Sequence, residues 1–264
     1  MKSLHLPDDQ AFLRYLEIPG DDPPLLWLHG WQCSSTGELM PAAVQAPLRG
    51  RRSLVIDFLG HGYSDKPLEF GYRLEDHARS IVALIDALDL GDCGLVGHSM
   101  GGAVAILVTA ARPALVSLLV MAEGNLGPEG DRGLDGQTER EFVERGFRDL
   151  VAGQEKEAAA KPDGLRAAHV GITRLVEPRA IYREERSMDV ETSPSLRSLL
   201  GALEMPRWYL LGGLSDPEPA LDREMATIGV GWKVVPETGD PMGLQNPRGL
   251  AQTIADVLPA SWAE

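Results

Sequence analysis

Only two cysteines occur in the 264 residues, Cys33 and Cys93, too few for a disulfide framework and in keeping with a reducing compartment. No stretch reaches the ~18 apolar residues that a membrane-spanning helix needs. The N-terminal MKSLHLPDDQ has no apolar segment followed by a small-residue cleavage site, so no signal peptide is expected and the expected location is cytoplasmic. Basic charge is scarce: 25 Lys and Arg stand against 39 Asp and Glu. The resulting net charge of −14 repels phosphate backbones and anionic lipid, so neither nucleic acid nor a membrane is an expected partner. The sequence carries no phosphate-binding glycine loop, dinucleotide fingerprint or metal-ligand cluster, and neither a cofactor nor a metal is expected. Histidine is absent from the whole chain beyond His169, and this absence bears directly on catalysis.

What is present reads as an α/β core with an insertion. A chain of this length buries ~70–75% of its unfolded surface, which suffices for a core without staples. Leu25–Leu28, behind two prolines, and Ser53–Phe58 read as strands, with a short helix over Glu38–Leu48 between them. Leu74, Ile81, Leu84, Ile85 and Leu88 recur at helical spacing, with Gly91 as the expected C-terminal cap. Gly94–Val96, a helix over Met100–Ala111 and the continuously apolar strand Leu115–Ala122 follow. Gly124–Gln137 is rich in glycine and charge and reads as a flexible connection. From Thr138 to about Met205 the pattern is helical and polar. Strands at Trp208–Leu211 and Trp232–Val235 then alternate with helices at Ala220–Ile228 and Pro247–Leu258. Such alternation argues for an α/β fold with a doubly wound, mostly parallel sheet. Residues 1–123 and 206–264 are the expected core domain, and 124–205 a helical lid inserted in it.

The sharpest local signal is Gly97-His98-Ser99-Met100-Gly101, behind a strand and ahead of the small residues Gly102, Ala103 and Ala105. A G-x-S-x-G pentapeptide puts a serine on a tight strand-to-helix turn, with glycines where a Cβ would strike neighbouring backbone. The turn lifts the hydroxyl to a helix N-terminus, whose unpaired N–H groups favour developing negative charge. In this strand–turn–helix setting a plain glycine-rich turn is the weaker alternative.

On these residues and four further segments, nearly the whole chain resembles the α/β-hydrolase fold family, in the branch with a helical lid. Leu28-His29-Gly30-Trp31 resembles the family's His-Gly oxyanion loop, and Asp57 to Asp65 (DFLGHGYSD) its D-x-x-G-x-G-x-S-D loop. Leu211 to Asp216 (LGGLSD) resembles the strand end that carries the triad acid, and Gly239-Asp240-Pro241-Met242 lies where the family has glycine-histidine. The resemblance implies Ser99 as nucleophile, the N–H groups of Met100 and Trp31 as the oxyanion hole, and Asp216 as the acid, with Glu123 as fallback. It implies a structural, hydrogen-bonding His29, a His98 turned away from the Ser99 hydroxyl, and a loop-bracing role for His61 and Asp65. His29, Trp31 and Met242 are the residues placed to border a substrate.

The departure is at the base. The order serine, acid, histidine calls for a histidine after Asp216, and Asp240 stands in its place. An imidazole with pKa near 6.5 exchanges a proton at neutral pH, whereas an aspartate with pKa near 3.9 is a much weaker base. If Asp240 faces Asp216, one of the two carboxyls should hold its proton to high pH, as a dyad. Three readings therefore stand side by side. The chain is an esterase-like hydrolase of small to medium apolar esters or lactones, weakened or silenced at position 240. Or it is a lyase, epimerase or cyclase that works with Asp216 and Asp240 as acid and base. Or it is a non-catalytic small-molecule-binding protein. His169, in the lid region, is the alternative base, and Cys33 a further residue able to line the pocket. Either a monomer or a homodimer is compatible with the sequence.

Overall fold

The computed structural model describes residues 1–128, 130, 134, 136–161 and 164–262. Eight strands form one sheet: β1 (Lys2–Leu6), β2 (Ala11–Ile18), β3 (Asp21–Leu28), β4 (Arg51–Asp57), β5 (Cys93–His98), β6 (Val116–Ala122), β7 (Arg207–Gly212) and β8 (Gly231–Val235). Their order is β1-β2-β4-β3-β5-β6-β7-β8. β2 pairs antiparallel with both β1 and β4, and all pairings from β4 to β8 are parallel. The principal helices are α1 (Leu74–Ala87), α2 (Met100–Ala111), α3 (Phe147–Ala160), α4 (Leu165–Thr173), α5 (Pro178–Met188), α6 (Leu196–Ala202), α7 (Leu221–Thr227) and α8 (Pro247–Ala255). The expected α/β fold with a mostly parallel sheet is the observed one. None of the described helices is long and apolar enough to cross a membrane.

Side-chain alternation along the strands sends successive residues to opposite faces, and both faces are covered. Leu26 and Leu28 of β3 join Leu54, Ile56 and Leu95 in one core, which α1 and α2 close with Ile81, Leu84, Ile85, Val104 and Val108. Leu25 and Trp27 join Val55, Val96 and Val120 in the other, closed by Leu250 and Ile254 of α8 and by Trp262. This arrangement fixes β3, β5, β6 and β7 side by side, so that the segments leaving their C-terminal ends meet above the sheet.

Three details depart from the sequence pattern. The hairpin β1–β2 was not among the expected strands, although Ala11, Leu13 and Tyr15 alternate inward along β2. The helix expected over Glu38–Leu48 is broken into Ser35–Glu38, Met40–Ala43 and Ala46–Leu48, the last two each having a proline in the first turn. Proline fits a first turn and cannot continue the helix before it. The left-handed residue after α1 is Asp89 (φ +52°) rather than Gly91.

Among the described residues the segment between β6 and β7 is helical without a strand, and the glycine-rich connection within it falls partly outside those residues. Helix α5 is tied to the core at several points. Glu177 N–H donates to Gly60 C=O (2.8 Å), Leu74 N–H to Ser187 Oγ (3.1 Å) and Arg183 to Phe70 C=O (2.7 Å).

Candidate active site

Ser99 follows the last residue of β5 with φ +48° and ψ −117°, a conformation that costs a non-glycine residue ~1–3 kcal/mol. Backbone hydrogen bonds hold it there: its N–H donates to Ala122 C=O (3.1 Å), and its C=O accepts from Gly102 (2.9 Å) and Asn125 (2.9 Å). The flanking glycines are sterically required. A Cβ on Gly97 would lie 2.3 Å from Gly101 O, and one on Gly101 only 2.2 Å from Leu28 O. Both distances are shorter than any carbon–oxygen contact, so the elbow motif is written by backbone crowding.

The registry of β3 beside β5 pairs Leu28 with Gly97, so the loop His29–Cys33 leaves the sheet next to the elbow. A Cβ on Gly30 would be 3.3 Å from Ser99 Cβ, which places this loop against the serine. Among the described residues neither the Trp31 nor the Met100 N–H donates to a protein acceptor; Met100 follows Ser99 in sequence, and Trp31 follows Gly30, which packs against it. The Trp31 indole Nε1–H donates to Ile181 C=O of α5 (3.0 Å), so the loop is fastened from above.

His29 is fully buried. Phe58 N–H donates to its Nε2 (3.1 Å), which leaves the hydrogen on Nδ1, 2.8 Å from Gly30 O. Burial, with the neighbouring His61, pushes its pKa down to about 3, so it is neutral. That fits a structural hydrogen-bonder, and His29 has no exposed surface. Met242 is likewise fully buried in the α8-side core, so of the three expected substrate-bordering residues only Trp31 keeps exposed surface.

Asp240 lies against the elbow histidine. Its Oδ1 lies 3.3 Å from Nε2 of His98, and His98 Nδ1 lies 2.5 Å from Oε1 of Glu38. Both are charge contacts rather than aligned hydrogen bonds, and two carboxylates against one imidazole favour its cation. Burial draws His98 toward the neutral form, but Glu38 and Asp240 outweigh it and hold its pKa well above the ordinary value. Burial likewise raises Glu38, and His98 more than offsets this, leaving Glu38 below its usual range. The other Glu38 oxygen accepts from Gly30 N–H (3.4 Å), so this fully buried carboxylate links the oxyanion loop to the elbow. Glu38 was not among the expected site residues. Its partner is sixty positions away in sequence, and nothing near it signals burial.

Asp240 and His169 line one cavity of about 190 Å³ with Arg166, Pro241 and Gln245. Cys33 Sγ is 3.7 Å from His169 Nδ1, and burial, with Glu38 and Asp240, pushes this thiol well above its usual pKa, so it stays protonated. Asp216 is exposed in a different cavity of about 710 Å³, together with Glu123, Tyr209 and Arg197. Glu123 Oε1 accepts from Gly212 N–H (2.9 Å), which brings the fallback acid to the end of β7. Asp65 braces its loop against β2, accepting from Phe12 N–H (2.9 Å) and pairing with Arg14 (3.2 Å).

A family model described as alpha/beta hydrolase fold matches residues 23–157. The chain belongs to the α/β-hydrolase fold family. It is 34% identical over 154 residues to the dihydrolipoyllysine-residue acetyltransferase component of the acetoin cleaving system of Pseudomonas putida. That stretch covers 57% of this chain and 39% of that protein, so the chain spans well under two thirds of this curated relative. An esterase from Exiguobacterium antarcticum has a similar structure (TM-score 0.79, 21% identity, 96% of this chain and 97% of that one). So does the enol-lactonase from Burkholderia xenovorans LB400 (TM-score 0.80, 17% identity, 97% and 99%). At these identities the two structures speak to fold alone.

Proposed function

We propose that the chain is a serine-type hydrolase of carboxylic esters or lactones, with Ser99 as nucleophile and its turnover limited by the residue at position 240. The observation that supports this reading is the strained Ser99 backbone, packed against Gly30, with the Met100 and Trp31 amides lacking an acceptor among the described residues. In this reading the Ser99 Oγ attacks the carbonyl carbon, and the developing oxyanion accepts from those two N–H groups. One such donor is worth ~3–4 kcal/mol of transition-state stabilisation. Helix α2 begins at Met100, and its N-terminal dipole acts in the same sense.

The proton that leaves Ser99 needs an acceptor. An imidazole at position 240 would supply one, whereas Asp240 presents a carboxylate already engaged with the His98 cation, a poor competitor for a serine proton. Acylation is therefore slow in this chain, and the oxyanion hole contributes most of the remaining rate. The acid–base dyad of a lyase or epimerase has no comparable support, since Asp216 and Asp240 line separate cavities. Titration with a fluorophosphonate probe, alongside hydrolysis of short-chain p-nitrophenyl esters, tests the reading. Covalent labelling confined to Ser99 and lost in Ser99→Ala is expected. A probe that leaves Ser99 unmodified, or labels Ser99→Ala equally, overturns it and favours the binding-protein alternative.

A further inference from the structure

Above the oxyanion loop lies a second buried cluster that the proposed reaction does not use. Glu184 of α5, His61 of the 57–65 loop and His77 of α1 are all without solvent exposure. Glu184 Oε1 lies 2.7 Å from His61 Nε2 and 2.9 Å from His77 Nε2. His61 Nδ1 lies 2.8 Å from the C=O of Cys33, two residues past Trp31.

The hydrogens can be assigned from these contacts. A carbonyl only accepts, so His61 Nδ1 must carry a hydrogen, and in a neutral ring its Nε2 is then a bare lone pair. A carboxylate oxygen pressed against a lone pair is repulsive, so one further proton must lie between His61 and Glu184. Burial pushes His61 down to about 4 and Glu184 up to about 7, which places that proton on the carboxyl oxygen. His77, lowered by burial, is neutral and donates its Nε2–H to the same oxygen. The groups facing this cluster are Tyr72 beside Glu184, His29, Asp57 and Lys66 beside His61, and none supplies a close cation to an ionised Glu184.

We infer that Glu184 is a positioning residue for the oxyanion loop: its carboxyl hydrogen, donated to His61, fixes Cys33 C=O and with it the Trp31 N–H. The same helix holds the Trp31 indole through Ile181, one turn earlier, so α5 grips the loop at two points. Loss of the proton sets a carboxylate against the His61 lone pair and loosens α5 from the loop. The inference rests on the reading of Ser99 and Trp31 given above.

Glu184→Gln supplies the test, because a carboxamide keeps a hydrogen to donate at every pH. The rate of fluorophosphonate labelling of Ser99 is measured for both proteins across neutral pH and taken as a ratio, which cancels the dependence on position 240. With an apparent pKa of about 7, the native-to-variant ratio should fall about tenfold one pH unit above it. Hydrogen exchange of 29–35 and 178–188, corrected for intrinsic rates, should rise with the same midpoint in the native protein alone. An infrared band of a protonated carboxyl should disappear at that midpoint and be missing from Glu184→Gln. A flat ratio with flat exchange, or no such band in the native protein at acid pH, overturns the inference. If Ser99 is never labelled, the hydrolase reading fails while the exchange and infrared results still decide the role of Glu184. Should Glu184→Gln not fold, the native infrared and exchange profiles decide it.

Discussion

In the proposed hydrolase, replacing Asp240 by histidine supplies the missing base, and the structure allows the gain to be sized. The Asp240 side chain is 77% exposed, so an imidazole there is not desolvated, and the neighbouring His98 cation holds its pKa below the ordinary 6.5. It is therefore mostly neutral, and able to accept a proton, above neutral pH. A positioned general base contributes ~100- to 10,000-fold. That corresponds to ~3–5 kcal/mol at about 1.4 kcal/mol per tenfold. His98 loses one of its two carboxylates but keeps Glu38 at 2.5 Å, so the elbow keeps its charge balance. kcat/KM on p-nitrophenyl acetate and butyrate, with Ser99→Ala subtracted, should rise by that factor in Asp240→His and follow a single titration below 6.5. A folded Asp240→His protein with an unchanged rate, or a gain that survives Ser99→Ala, would refute the assignment of position 240 to the base.

Two further outcomes follow from the geometry. Ser99→Gly should abolish labelling yet stabilise the fold by about 1 kcal/mol, because ~1–3 kcal/mol of backbone strain is relieved against ~0.5–1 kcal/mol of glycine entropy; a lower urea midpoint would contradict the strain argument. Glu38→Gln should cost ~3–5 kcal/mol near pH 5.5, as expected for one partner removed from a buried ion pair. The Glu38 part of that stabilisation is present above its unfolded value of 4.5 and is lost as pH falls through its lower folded value. The His98 part is complete below its unfolded value of 6.5 and is lost as pH rises through its raised folded value. The difference in urea midpoint between the native protein and Glu38→Gln should thus shrink toward alkaline pH, and growth there would refute the ion pair.

The frame of the molecule was legible where sequence carries a local signature. Helix Met100–Ala111 and the elbow before it could be read directly, because glycines, small residues and a closing proline all act within a few positions. The hairpin β1–β2 escaped, although the alternation of Ala11, Leu13 and Tyr15 was available as a signal. The site was legible in its backbone half and opaque in its side-chain half. That Asp240 would meet His98, and His98 meet Glu38, depends on one loop and one short helix meeting over a strand end. No periodicity reports such a meeting. Burial was the other hidden variable, since Glu38 and Glu184 look in sequence like any surface carboxylate.

The 2.2 Å that would separate a Gly101 Cβ from Leu28 O leaves no free play between the serine turn and the strand that launches the oxyanion loop. In the proposed hydrolase any side chain at position 101 would push the serine turn away from the loop that supplies its anion donors. Directed evolution toward faster or different chemistry would therefore have to keep that glycine. Improvement must come from the softer shore, the exposed stretch around Asp240 and the helices that overhang it.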